Sequence, residues 1–179
     1  AVPETVTITK IALKNVEQAT GLSIEILGET DETYSNNRKP FQPETYSSQG
    51  DAWAPVLLDW RTTEDFRASL PEHSGDVVGW AGPLFETQGQ TSQIVTGAGQ
   101  FDATWFKDQI SQGNVTDPTS VVMHEFGHIM GLDHVDNKRE IMNPVENGFT
   151  NWGPGDRAGL AYLGAGPCLT SEQKIKPGY

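Results

Sequence analysis

With 179 residues the chain has the length of one well-buried domain and is short for two, since domains commonly run to about 100–200 residues. Its composition is that of a soluble globular protein, 36% hydrophobic, 9% aromatic and 20% charged, and no apolar run approaches the roughly 18 residues of a membrane helix. A formal net charge of −12 repels nucleic-acid phosphates and anionic membrane surfaces at long range, which excludes both as main partners.

In chain order, residues 3–20 read as a helix, with Pro3 where a first turn tolerates it and Gly21 where a helix stops. Val6, Leu13, Val16 and Thr20 fall near one stripe, and Ile8, Ile11, Ala12 and Ala19 broaden it. LSIEIL, residues 22–27, alternates apolar and polar and reads as a strand. Residues 28–53 are rich in Gly, Asn, Ser, Pro and charge and make a long surface loop, which in a compact domain is either functional or mobile. Three strands are predicted over residues 54–62, 76–85 and 92–106. Gly and Pro in the last two point to edges or bulges and away from a sheet centre.

Asp117 and Pro118 then predict a helix start, with an acceptor at the cap and proline in the first turn. The period stays helical until Gly131, and a C-terminal helix is predicted over residues 156–163 after the turn-rich NGFTNWGPG. There are no internal repeats, and the order helix, strands, helix, turn, helix gives an α+β domain. We read residues 1–179 as one domain, with 1–117 as the N-terminal helix and sheet part and 118–179 as the part carrying the two later helices. The single cysteine, Cys168, excludes a disulfide within the chain. A start at Ala1 with no methionine and no signal-like apolar segment suggests a processed form whose targeting region has been removed.

The stretch HEFGHIMGLDH holds three of the four histidines. Residues four apart share a helix face, so His124 and His128 project their imidazoles toward one point. Gly131 can take the left-handed conformation that ends a helix, so that His134 returns to the same point from outside it. Three imidazoles leave a fourth tetrahedral position for water, the layout of a catalytic zinc site. Zinc lowers the pKa of bound water to about 7, and Glu125, beside the first ligand, is placed to take its proton as general base. Histidines also serve in packing and capping, but a chance match to H-E-x-x-H-x-x-G-x-x-H in a chain this long is on the order of one in 100,000. Acidic residues scattered along the chain offer oxygen ligands for Ca2+, yet no calcium-loop spacing assigns them.

His124, Glu125, His128, Gly131 and His134, followed by Met142 in IMNP, resemble the metzincin clan of zinc endopeptidases with its Met-turn, and within the clan the matrixins and their compact bacterial relatives. The resemblance is specific over residues 118–164 and topological over the strands before them. It implies a zincin fold with a twisted mixed sheet, an active-site helix and a C-terminal helix. The activity implied is hydrolysis of internal peptide bonds with one catalytic Zn2+. Met142 would form a hydrophobic floor under the metal, a packing role and not a ligand.

Several details refine that resemblance. Pro144 stands where astacins and serralysins carry a tyrosine, so no tyrosine ligand is available, and Asp133 falls one position too early for the aspartate of snapalysin-like enzymes. The second, structural zinc of vertebrate matrixins should be absent, because His73 is the sole upstream histidine. A family first strand would precede the first helix; it is either trimmed away, with a cysteine that could pair with Cys168, or missing. Substrate would lie along the strand at residues 77–85, with Gly79, Trp80 and Ala81 as contacts, although Trp80 is equally read as core. Val145, Phe149 and Trp152 would line the pocket for the side chain after the cleaved bond and give it a hydrophobic preference. Lys138, Arg139 and Glu140 read as an exposed link. The implied protein is a secreted monomer acting on protein or peptide substrates. Its rivals are a zinc-binding pseudo-peptidase, which would not need Glu125, and an amidase on a non-protein bond, which only a substrate panel separates.

Overall fold

The first helix, α1, runs Pro3–Thr20 as its proline and glycine predict. Its buried stripe is Thr5, Ile8, Thr9, Ala12, Leu13 and Val16, one step round from the expected face, so that Ile11 is exposed and Val6 only half-buried. The two buried threonines explain the offset, since Thr9 returns its hydroxyl to the Thr5 carbonyl at 2.8 Å and needs no other partner. The computed structural model describes residues 3–49, 52–72, 74–163, 169–170 and 172–177. His73 and Cys168 therefore lie outside the described residues.

No strand forms over residues 22–27. Leu22, Ile26 and Leu27 are exposed, and only Ile24 packs against the core, its N–H donating to Glu17 Oε1 at 2.8 Å. Alternation alone does not make a strand; a neighbour must take the ladder hydrogen bonds. The long loop that follows is pinned by Arg38, whose side chain is buried. Its Nε and Nη2 donate to Glu32 at 2.8 and 3.0 Å, while Nη2 and Nη1 reach the carbonyls of Pro55 and Gly97 at 2.8 and 3.3 Å. Gln42 and Tyr46 also donate to Glu32.

Three strands form one mixed sheet in the order β1-β3-β2, with β1 at Leu57–Arg61, β2 at Gly79–Gln88 and β3 at Thr91–Asp102. β1 pairs parallel to β3 and β2 antiparallel to it. The expectation of edges or bulges holds for β2, which is an edge with a register shift between Leu84 and Phe85. For β3 it holds only in part: the strand is central, but the shift leaves Val95 of β3 as the extra residue between Ile94 and Thr96. Its glycines are there for close approach: a Cβ on Gly97 would sit 2.7 Å from Ile129 Cγ2, and one on Gly99 would sit 2.9 Å from Ala81 Cβ.

Two short helices escape the sequence pattern. α2 (Thr63–Ser69) is capped by Thr62, which accepts from the Asp65 N–H. α3 (Ala103–Ser111) is capped by Asp102, which accepts from Thr104 and Trp105, so the predicted third strand ends at 102 and not at 106. α4 (Thr116–Met130) starts slightly earlier than predicted, with Val115 and not Asp117 at the cap position; Pro118 still lies in its first turn. α5 (Pro154–Leu163) matches the C-terminal prediction to within two residues. The core gathers Ile8, Ala12, Leu13 and Val16 of α1, Phe101 of β3, Phe106 of α3 and Val121, Val122, Met123 and Phe126 of α4. Each of these side chains larger than alanine contributes about 1.5–3 kcal/mol by burial. Clamped between α1 and the sheet, α4 becomes the rigid platform for the histidines.

Candidate metal centre

α4 carries His124 and His128 one turn apart and ends at Gly131, whose φ of 101° is the left-handed cap that the sequence predicts. Its N–H returns to the His128 carbonyl at 2.9 Å, and the reversed chain brings His134 alongside. The three Nε2 atoms lie 3.1 Å from one another in every pairing.

The tautomers follow from the far side of two of the rings. His124 Nδ1 is 2.7 Å from the Ile141 carbonyl and His128 Nδ1 is 2.9 Å from the Leu132 carbonyl. A carbonyl only accepts, so both Nδ1 atoms carry the proton and both Nε2 lone pairs face inward. Loss of solvation, followed by the neighbouring imidazoles, holds His124 down to about 4, and burial also lowers His128. Neutral imidazoles with converging lone pairs suit a cation between them. On tetrahedral zinc with Zn–N of about 2.0–2.1 Å the ligand nitrogens lie about 3.3 Å apart, close to the observed triangle. The donor set therefore fits zinc, and among the described residues it is the one such cluster of potential ligands.

Glu125 turns from α4 toward β2 and is buried, 6% exposed. The Ala81 N–H donates to its carboxyl, while Oε2 has no partner within the protein. Burial pushes its pKa up to about 8. Gly79 makes the space, because a Cβ there would lie 2.7 Å from Glu125 Oε1.

Met142 is buried at 1% exposure against Gly127 of α4, where a Cβ would come 2.2 Å from its Sδ. The turn carrying it is held by Asp156 of α5, which accepts from the N–H groups of Ile141 at 2.6 Å, Met142 at 3.3 Å and Gly153 at 3.0 Å. Glu140 in turn accepts from the Asp156 N–H at 2.9 Å and from Asn137 at 3.2 Å. Lys138 and Arg139 are exposed as the sequence suggests, but Glu140 is 4% exposed and is a buried brace, not part of an exposed link. Gly153 and Gly155 leave room for its carboxyl, with added Cβ atoms only 2.1 and 3.1 Å away from it. Since the Ile141 carbonyl orients His124, this carboxylate chain sets the ring from two shells out.

The histidines open into a cleft of about 770 Å³. Gly79, Trp80 and Ala81 of β2 form one wall, and Asn143, Pro144, Val145 and Glu146 form the other. Trp80 is half-buried and lines the cleft, and Val145 is 67% exposed at its lip. Phe149 lies outside the lining, and Trp152 is 4% exposed within the core. Trp152 is taken up by packing beneath α4, where its ring lies 3.5 Å from a Cβ placed on Gly127. Glu146, one residue beyond Val145, gives no pattern signal in the sequence; only its place directly after Pro144 and Val145 could have drawn notice.

A family model described as matrixin matches residues 60–153, more than half of the chain, spanning β2, the histidines and Met142. No curated protein matches the sequence.

Proposed function

The chain belongs to the matrixin family of zinc metallopeptidases, and on that premise we propose that it is an endopeptidase with His124, His128 and His134 as zinc ligands and Glu125 as general base. The observation that carries this reading is the triangle of Nε2 atoms 3.1 Å apart, open to a cleft that Glu125 also lines. Zinc, when bound, supplies a Lewis acid for a carbonyl oxygen and makes water acidic near neutral pH. The protein's own groups do the rest. The Ile141 and Leu132 carbonyls fix two of the ligand tautomers. Glu125, desolvated and held by the Ala81 N–H, keeps one carboxyl oxygen without a protein partner, ready to take a proton from water and return it to the leaving amine. The edge of β2 offers main-chain groups to a substrate lying extended across the histidines, with Gly79, Trp80 and Ala81 nearest. Met142 and the Asp156 brace keep the floor rigid, which supports a preorganised site.

The test is mass-spectrometric mapping of cuts in a diverse peptide mixture by zinc-loaded wild type and by Glu125→Ala. Internal cuts made by wild type and reduced at least about 100-fold in the variant, at equal zinc content, are the expected result. Activity within a few-fold of wild type would remove Glu125 from the base role. Zinc-loaded wild type that cuts no peptide would favour a binding protein or an amidase.

A further inference from the structure

The wall of the cleft after the Met142 turn differs from the apolar pocket that Val145, Phe149 and Trp152 together would make. Of the three, only Val145 is at the cleft, and the next residue along the wall is Glu146. Glu146 Oε1 accepts from the N–H groups of Asn147 at 2.8 Å and Gly148 at 2.6 Å, and the Ser120 hydroxyl bonds the same carboxyl. These bonds fix the carboxyl while the residue stays open to solvent at the lip. An ionised carboxylate has about four acceptor positions, and these contacts use three.

Asp117 stands next to the same turn, its Oδ1 3.1 Å from where a Cβ on Gly148 would be, and it is bonded to the amide of Asn114. Among the described residues no Lys or Arg forms an ion pair with Glu146 or Asp117, and no Lys or Arg lines the cleft. Loss of solvation, with a smaller push from Asp117, raises the Glu146 carboxyl against the bonds from Gly148, Ser120 and Asn147, so its charge is met by hydrogen-bond donors and, among the described residues, by no cation. Val121 and Val145 provide apolar surface on the way to it.

Building on the endopeptidase reading, we propose that this pocket takes a lysine or arginine side chain in the residue immediately after the cleaved bond. The methylene stem lies on Val121 and Val145, and the cationic head pairs with Glu146, with Asp117 behind it. A long basic side chain suits such a site because its stem is apolar and only its head needs the carboxylate.

Two measurements test this on the zinc-loaded enzyme. In a matched peptide series varied only after the scissile bond, wild type should cut before Lys or Arg with kcat/KM at least about tenfold above Leu. Glu146→Gln should erase that ratio through a loss of kcat/KM on the Lys and Arg peptides, and Glu146→Lys should shift preference toward Asp or Glu. A wild type that favours Leu or Phe, with a ratio unmoved in Glu146→Gln, overturns the proposal and leaves the endopeptidase intact. Calorimetry with product-like peptides that begin with Lys or norleucine reads the pocket without turnover. Tighter binding of the Lys peptide, lost in Glu146→Gln, supports the pocket even if no peptide is cut, in which case the endopeptidase reading alone fails. Equal binding of the two peptides overturns the pocket.

Discussion

At position 79 one methyl group separates a seated Glu125 from a displaced one. Alanine there would place its Cβ 2.7 Å from Oε1, 2.8 Å from Cγ and 3.0 Å from Cδ of Glu125. Backbone on one side and α4 on the other leave the carboxyl as the group that moves. Gly79→Ala is therefore expected to lower kcat by about 100-fold through misplacement of the proposed base, with zinc content unchanged by atomic absorption. A variant of normal kcat would show that the carboxyl tolerates the shift. The histidines and Glu125 were legible because four-residue spacing and a helix-ending glycine are rules of backbone geometry, readable from residue types alone. The space at Gly79, the brace of Glu140 and Asp156, and the placement of Glu146 depend on which distant segments come to face one another, and single residues carry no mark of that.

Among the elements, helices with explicit stops were read best: α1 between Pro3 and Gly21, and the end of α4 at Gly131. α2 and α3 were missed because they are one to three turns long and their caps, Thr62 and Asp102, sit inside runs that resemble strand endings. The central place of β3 was hidden because its glycines serve packing against Ile129 and Ala81, a tertiary cause for a residue that locally signals an edge. Composition marks the long loop as a surface segment but not what holds it: Arg38 donates directly to the carbonyls of Gly97 in β3 and of Pro55, and to Glu32 within the loop. Burial opposes the ionised form of Glu32, but the bonds from Arg38, Tyr46 and Gln42 hold its pKa below the ordinary 4.5. A lowered carboxylate stabilises the fold fully above about pH 4.5 and loses that contribution as pH falls through the folded-state value. Glu32→Gln should accordingly be less stable than wild type by about 1–2 kcal/mol at pH 7, with solvent screening allowed for. The gap in urea midpoints should close as the pH drops below 4.5. A gap that stays constant down to pH 3 would mean that the carboxylate charge does not anchor the loop.

For the whole molecule, the metal is expected to act as part of the fold. Converging nitrogen lone pairs repel until a cation lies between them, so metal binding and native structure are linked. Zinc at about a thousand times its Kd should stabilise the protein by about 4 kcal/mol and raise Tm by roughly 8–16 °C for a chain of this size. Calorimetry with and without a chelator checks it, and a Tm indifferent to zinc would remove the histidines from that role. Among the described residues no helix is long and apolar enough to cross a membrane. The edge of β2 has one more consequence, for crowding. Apart from the Ala81 N–H, which Glu125 takes, the edge groups that would hold a peptide in the proposed reading are equally available to a sister molecule, and open edges are where sheets grow into aggregates. Pro83 brings no N–H to that rim, and Val95, the extra residue of β3 opposite Leu84 and Phe85, adds local twist to the pair. A short guest near the histidines meets the regular part of the strand, whereas a long one zipping along its whole length meets both interruptions. A rim that would take a few residues of a stranger, as proposed, thus discourages the protein from stacking with itself.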